Sequence, residues 1–157
     1  MKNLSEYLSE EKILLDLEGV EFEDCLPSLV NQLTARGIMS EDQGENLRDA
    51  LTSRERLGAT CVGRGVVIPH AYLPAIEHPL VCFARLKTPV DHEAPDGAPV
   101  DLVFMLTGPP ESQNVHLQML ARIVRLVHDQ ELLTALRDAH SASEVLSAVQ
   151  EVEQRHA

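Results

Sequence analysis

The run Thr60-Cys61-Val62-Gly63-Arg64-Gly65-Val66-Val67-Ile68-Pro69-His70 is mostly apolar and ends on a histidine, the first candidate for chemistry in this chain. Pro69 restricts the backbone just before it, so the ring is expected to be held rigidly at a strand end. A neutral imidazole keeps a lone pair on one nitrogen, while the other can donate to a fixed oxygen that sets the tautomer. Such a ring can accept a phosphoryl group, and the weak N–P bond suits onward transfer. The transferred group spreads negative charge over its oxygens, so the site must supply positive charge and aligned donors.

Arg54, within Thr52-Ser53-Arg54-Glu55-Arg56 and close enough in sequence to fold back beside the strand, is the leading candidate source of that charge. The competing role is capping of helix carbonyls by Arg54 and Arg56, which spacing alone favours. His116 stands near the start of a predicted helix on the same side as Leu120 and Ile123. It is either a satisfied core residue or, if that helix N-terminus faces His70, a partner for a phosphoryl group drawn by free N–H groups and the dipole. Gly63 and Gly65 permit tight turns and close approach of another protein or of phosphate oxygens. His78, His92, His128, His140 and His156 share no ligand spacing, and neither HExxH nor CxxC occurs. A metal centre built on His70, His116 and a carboxylate therefore lacks a spacing signal, and no cofactor is implied. A serine nucleophile is unsupported without a GxSxG turn.

Positioning these residues requires strands in mid-chain and helices on either side. Strand-like runs cover 60–69, 80–87 and 100–106, bounded by Gly58, Pro79, Pro89, Pro99 and Gly108, and residues 13–17 read equally as a further short strand or a helix turn. Helical spacing covers 22–36, with Pro27 suggesting a regular start near Leu26, and Ser40 can cap a helix reaching about Leu51. Ser112 can cap a long helix to about His128 with Leu117, Leu120, Ile123, Val124 and Val127 on its apolar side. Asp129 and Ser141 can start two more. Helices flanking strands at both ends predict an α/β fold: one domain, 1–157, with a mixed sheet between helices.

Of the 157 residues 44% are apolar and only 3% aromatic, enough for a core of aliphatic side chains. A net charge of -12 without a basic cluster argues against nucleic acid and anionic lipid as partners. Cys25, Cys61 and Cys82 are odd in number and each has apolar neighbours, which suggests buried free thiols in a reducing compartment. The polar, acidic N-terminus is no secretory signal and no run is long enough to span a bilayer, so a cytoplasmic location is expected.

Three segments together resemble the fructose, mannitol and nitrogen-regulatory IIA proteins of the bacterial phosphotransferase system. They are 52–58 with Gly63-Arg64-Gly65-Val66-Val67-Ile68-Pro69-His70, then Pro95-Asp96-Gly97-Ala98-Pro99-Val100-Asp101-Leu102-Val103-Phe104, and His116-Leu117-Gln118-Met119-Leu120-Ala121. The resemblance implies that His70 accepts a phosphoryl group from HPr or its nitrogen-branch counterpart, charged from phosphoenolpyruvate through enzyme I. It also implies that Arg54 and His116 assist, and that the fold is a mixed sheet between helices. A stand-alone regulatory carrier is the leading expectation; a sugar-transport subunit passing phosphate to a IIB partner, or a phosphate-independent binding module, are the alternatives. Nitrogen-type proteins commonly follow the histidine with Gly and a basic residue, whereas Ala71-Tyr72-Leu73-Pro74 follows here. Cys61 and Arg64 are also individual to this chain, Arg64 either adding charge to the phosphate site or facing solvent.

Overall fold

Side chains alternate across the central strands, so one sheet presents two apolar faces, and helices cover both. The computed structural model describes residues 3–156. In chain order the elements are α1 (Leu4–Tyr7), β1 (Ile13–Leu17), α2 (Phe22–Ala35), α3 (Glu41–Leu57), β2 (Cys61–Gly63), β3 (Val66–Val67) and β4 (His70–Tyr72). There follow β5 (Leu80–Val90), β6 (Val100–Gly108), α4 (Gln113–Leu126), α5 (Gln130–Asp138) and α6 (Ala142–Arg155). The sheet order is β1-β5-β6-β3-β2, with β4 paired to β6 beyond β3. β1–β5, β3–β6 and β4–β6 are parallel, while β5–β6 and β2–β3 are antiparallel: the expected mixed sheet between helices. Val66, Ile68, Phe83, Phe104 and Leu106 pack toward α4, α5 and α6. Val67, Cys82, Val103 and Met105 pack toward α2 and α3.

The stretch 60–69 is not the single strand that its apolar pattern predicts. Gly63, Arg64 and Gly65 all take positive φ, at 89°, 57° and 81°, and reverse the chain into a β2–β3 hairpin. Pro69 then has no N–H to give the ladder, which separates β3 from β4, so His70 opens a new short strand instead of following an old one. The glycines serve the fold more than an incoming group. A Cβ on Gly65 would lie 2.6 Å from both Arg137 Nη2 and Asp101 Oδ1. Arg137 there makes paired bonds to Asp101 at 2.7 and 2.9 Å. Gly65→Ala is expected to cost about 3 kcal/mol through its backbone conformation and this collision. Urea unfolding measures it, and a loss under about 1 kcal/mol would mean that the turn rebuilds itself.

Other boundaries move for local reasons. α2 begins at Phe22, and Pro27 sits in its second turn, where it deprives the exposed Glu23 carbonyl alone of a helical partner. α3 continues past Leu51 to Leu57 because no breaker intervenes before Gly58. β5 extends to Val90 through Pro89, which lies in an irregular stretch of the β5–β6 register beyond the β1 pairing. Ser112 does not cap α4; it ends a 3-10 turn, Pro110–Ser112, and is buried under Gly108. Ser40, Asp129 and Ser141 do cap, accepting from the Gln43, Leu132 and Glu144 amides at 3.1–3.2 Å. Cys25 and Cys82 are buried, Cys61 is partly exposed, and all are free thiols.

Candidate functional site

β4 sets His70 in register with Leu106 and Tyr72 with Gly108, so both rings lie on the sheet face that α4 covers. The Pro69 carbonyl accepts the Leu106 amide at 2.9 Å, keeping the segment on the ladder across the proline. His70 is half-buried, and its Nδ1 lies 2.9 Å from the Ile68 carbonyl. A carbonyl only accepts, so Nδ1 carries the proton and Nε2 holds the lone pair. Nε2 has no hydrogen-bond partner among the described residues.

α4 follows the end of β6 after one 3-10 turn, so its first residues lie near the β4 end of the sheet. His116, in the first turns of α4, is 0% exposed, and neither ring nitrogen has a hydrogen-bond partner among the described residues. Tyr72 connects the two imidazoles: its ring centroid is 6.4 Å from that of His70 and 5.3 Å from that of His116. Burial first, then the nearby charge of His70, lowers the His116 pKa from 6.5 to about 4, so this imidazole is neutral at neutral pH. Tyr72 is likewise pushed up by burial and stays a phenol. The burial pattern of α4 corrects its expected apolar side. His116, Met119, Ile123 and Leu126 are buried, while Leu117 and Val124 are 67% and 36% exposed.

The depressed His116 pKa has a consequence for stability. Between pH 6.5 and about 4 the unfolded chain takes up a proton at this position that the folded chain refuses. Stability from this group is therefore complete above pH 6.5 and declines as pH falls through that window. His116→Leu should show a shallower decline than wild type in urea unfolding series from pH 7 to 4. Parallel curves would mean that His116 titrates normally.

Arg54 and Arg64 both have carbonyl partners of their own. Arg54 belongs to α3, the helix that packs on β4, and its Nη1 donates to the Gly58 carbonyl at 2.9 Å. Arg64 Nη1 donates to the His128 carbonyl at 3.1 Å, near the far end of α4 from His116, so Arg64 is not beside His70. Val66 and His70 pair with Leu102 and Leu106, which puts about 13 Å of strand between the hairpin turn and the candidate nucleophile. Tyr72 escaped the sequence reading. Its signal was the two-residue alternation with His70, visible only once 70–72 is known to be a strand. Among the described residues no group of three or more His, Cys, Asp or Glu side chains could hold a metal ion, and no helix is long and apolar enough to cross a membrane.

The family model for the phosphoenolpyruvate-dependent sugar phosphotransferase system, EIIA 2, matches residues 6–152. The chain belongs to this EIIA 2 family. A nitrogen regulatory protein of Bradyrhizobium diazoefficiens is 45% identical to this EIIA 2 chain over 113 residues, 70% of it and 74% of that relative. The nitrogen regulatory protein of Pseudomonas aeruginosa is 32% identical over 153 residues, covering 98% of each. The fructose-specific EIIABC component of Bacillus subtilis is 31% identical over 146 residues, and the EIIA 2 chain spans 23% of its length. Among solved structures, nitrogen regulatory protein IIA-Ntr of Neisseria meningitidis superimposes with a TM-score of 0.82 at 29% identity, over 93% of this chain and 98% of that one. The fold also matches IIA mannitol of Escherichia coli, with a TM-score of 0.72 at 22% identity over 90% and 98%.

Proposed function

We propose that this EIIA 2 chain is a phosphocarrier that accepts a phosphoryl group on Nε2 of His70. The observation that carries it is the His70 ring, pinned through Nδ1 to the Ile68 carbonyl with Nε2 unpartnered near a buried imidazole that lacks partners of its own. In the transfer, the N–P bond of the donor's phosphohistidine breaks as the P–N bond to His70 Nε2 forms, and the donor nitrogen keeps the electron pair. His116, assigned an assisting role, can donate from a ring N–H to a phosphoryl oxygen once it approaches. Arg54 is assigned the same kind of role. Its bond to the Gly58 carbonyl must then be exchanged for one to the phosphoryl group.

HPr or its nitrogen-branch counterpart is the proposed donor, and a regulatory output through phosphorylation-dependent binding is the favoured role. The end-to-end match to a nitrogen regulatory protein supports that role. The match to an EIIABC component supports the second reading, transfer from His70 to a IIB partner in sugar transport. Three free thiols support a cytoplasmic location. The test is intact-mass analysis after incubation with phosphoenolpyruvate, enzyme I and HPr, or with the nitrogen-branch pair. One acid-labile phosphoryl adduct is expected. A folded protein with no adduct from either pair would favour the phosphate-independent binding module.

A further inference from the structure

On the α2–α3 side of the sheet, Phe22, Glu55 and His92 form a cluster outside the site described above. His92 Nε2 donates to Glu55 Oε2 at 2.7 Å, and its ring stacks on Phe22 with centroids 3.8 Å apart at 17°. Glu55 is 8% exposed and accepts twice more, from the Thr60 amide at 2.9 Å and the Thr60 hydroxyl at 2.7 Å. The Thr60 carbonyl accepts the Ile68 amide at 3.0 Å, and the Ile68 carbonyl accepts His70 Nδ1–H at 2.9 Å. The loop carrying His92 is tied down again where its carbonyl accepts the Cys61 thiol at 3.1 Å. One unbroken run of bonds thus leads from the His92 ring, through Glu55, Thr60 and Ile68, to the nitrogen that sets the His70 tautomer.

We infer that His92 is a positioning residue for His70: by holding Glu55 on Thr60, it fixes the Ile68 carbonyl that keeps the proton on Nδ1 and the lone pair on Nε2. The inference rests on His70 being the phosphoryl acceptor. A carboxylate this buried must be fully paired, and loss of the His92 donor turns it toward other partners or water. Both Thr60 donors aim at that carboxylate, so Thr60 moves with it. The Ile68 amide and carbonyl flank a single residue that follows Thr60 on one side and orients His70 on the other.

Nitrogen-15 NMR of the unphosphorylated protein reads the His70 tautomer directly, since protonated and bare ring nitrogens resonate far apart. Wild type is expected to be almost wholly protonated at Nδ1. His92→Phe keeps the stack on Phe22 and removes the donor; the expected result is a mixed His70 tautomer and phosphoryl uptake slowed about tenfold at saturating donor. His92→Gln, whose amide can donate to Glu55, should recover both. An unchanged tautomer in folded His92→Phe overturns the inference. If that variant does not fold, Thr60→Val removes a donor at the next link with little change of shape, and the same two outcomes decide. Because the tautomer is read without phosphate, failure of the wild type to take up phosphate would remove His70 as acceptor while the tautomer result stood by itself.

Discussion

His70→Ala protein is expected to gain no phosphoryl mass under conditions expected to label the wild type fully, a loss of at least about a thousandfold in rate. The argument begins with the lone pair. Among the described residues, His70 combines a fixed Nδ1 with an unpartnered Nε2 on a half-buried ring. His116 cannot stand in for it, because a ring that is 0% exposed offers an incoming phosphohistidine no path of attack. His116→Ala removes the donor proposed for the transferred group and leaves the proposed nucleophile in place, so labelling should persist and slow by about a hundredfold. Arg54→Ala should also slow it. Intact-mass time courses of the three variants give the ranking. Full-rate labelling of His70→Ala would move the acceptor elsewhere, and full-rate labelling of His116→Ala would reduce that residue to a packing role.

The second large effect is on stability. Phe104→Ala should lower the unfolding free energy by about 4 kcal/mol, the usual cost of emptying a large aromatic site in a core. Phe104 is 1% exposed and meets Phe83 across the β5–β6 pair with ring centroids 5.1 Å apart. Its strand, β6, pairs with β5 on one side and with β3 and β4 on the other, so little around the vacated volume can collapse into it. A domain of this kind is stable by about 5–15 kcal/mol, and the variant would keep only part of that. Urea unfolding at neutral pH measures the change. A loss below about 1.5 kcal/mol would show that the helices over this face close the gap.

The same contrast between local and distant causes explains what could be read from residues alone. The α2 and α3 helices, the caps at Ser40, Asp129 and Ser141, and strands over 80–87 and 100–106 follow from signals within a few residues, whereas 13–17 read equally as a strand or a helix turn until β5 paired with it. The placing of His70 behind Pro69 is local too. The short helix α1 carries one local signal, the Asn3–Glu6 capping box, and depends on distant groups for the rest. Its first amides are satisfied by Glu153, which takes the Leu4 and Ser5 N–H groups from 149 and 148 residues away. Tyr72 and the Glu55–His92 pair were hidden for the same reason, since β4 and the loop after β5 meet their partners only in the folded chain. Arg54 was read as either site or cap, and its bond to the Gly58 carbonyl has the geometry of a cap. The exposed Leu117 and Val124 were misread because α4 turns its buried stripe through His116 instead.

β4 is three residues long and pairs with β6 alone, leaving its other side without a strand. Unpaired edges usually invite another chain to add itself to the sheet, the first step of many aggregates. Here Pro69 stands immediately before the strand and Pro74 two residues after it, so a neighbouring strand would find too few consecutive donors to zip against. A partner of the kind proposed would therefore engage His70 through side chains, and could leave again without peeling main-chain hydrogen bonds apart. Under the proposed carrier role, that would favour rapid turnover of encounters over lasting assembly.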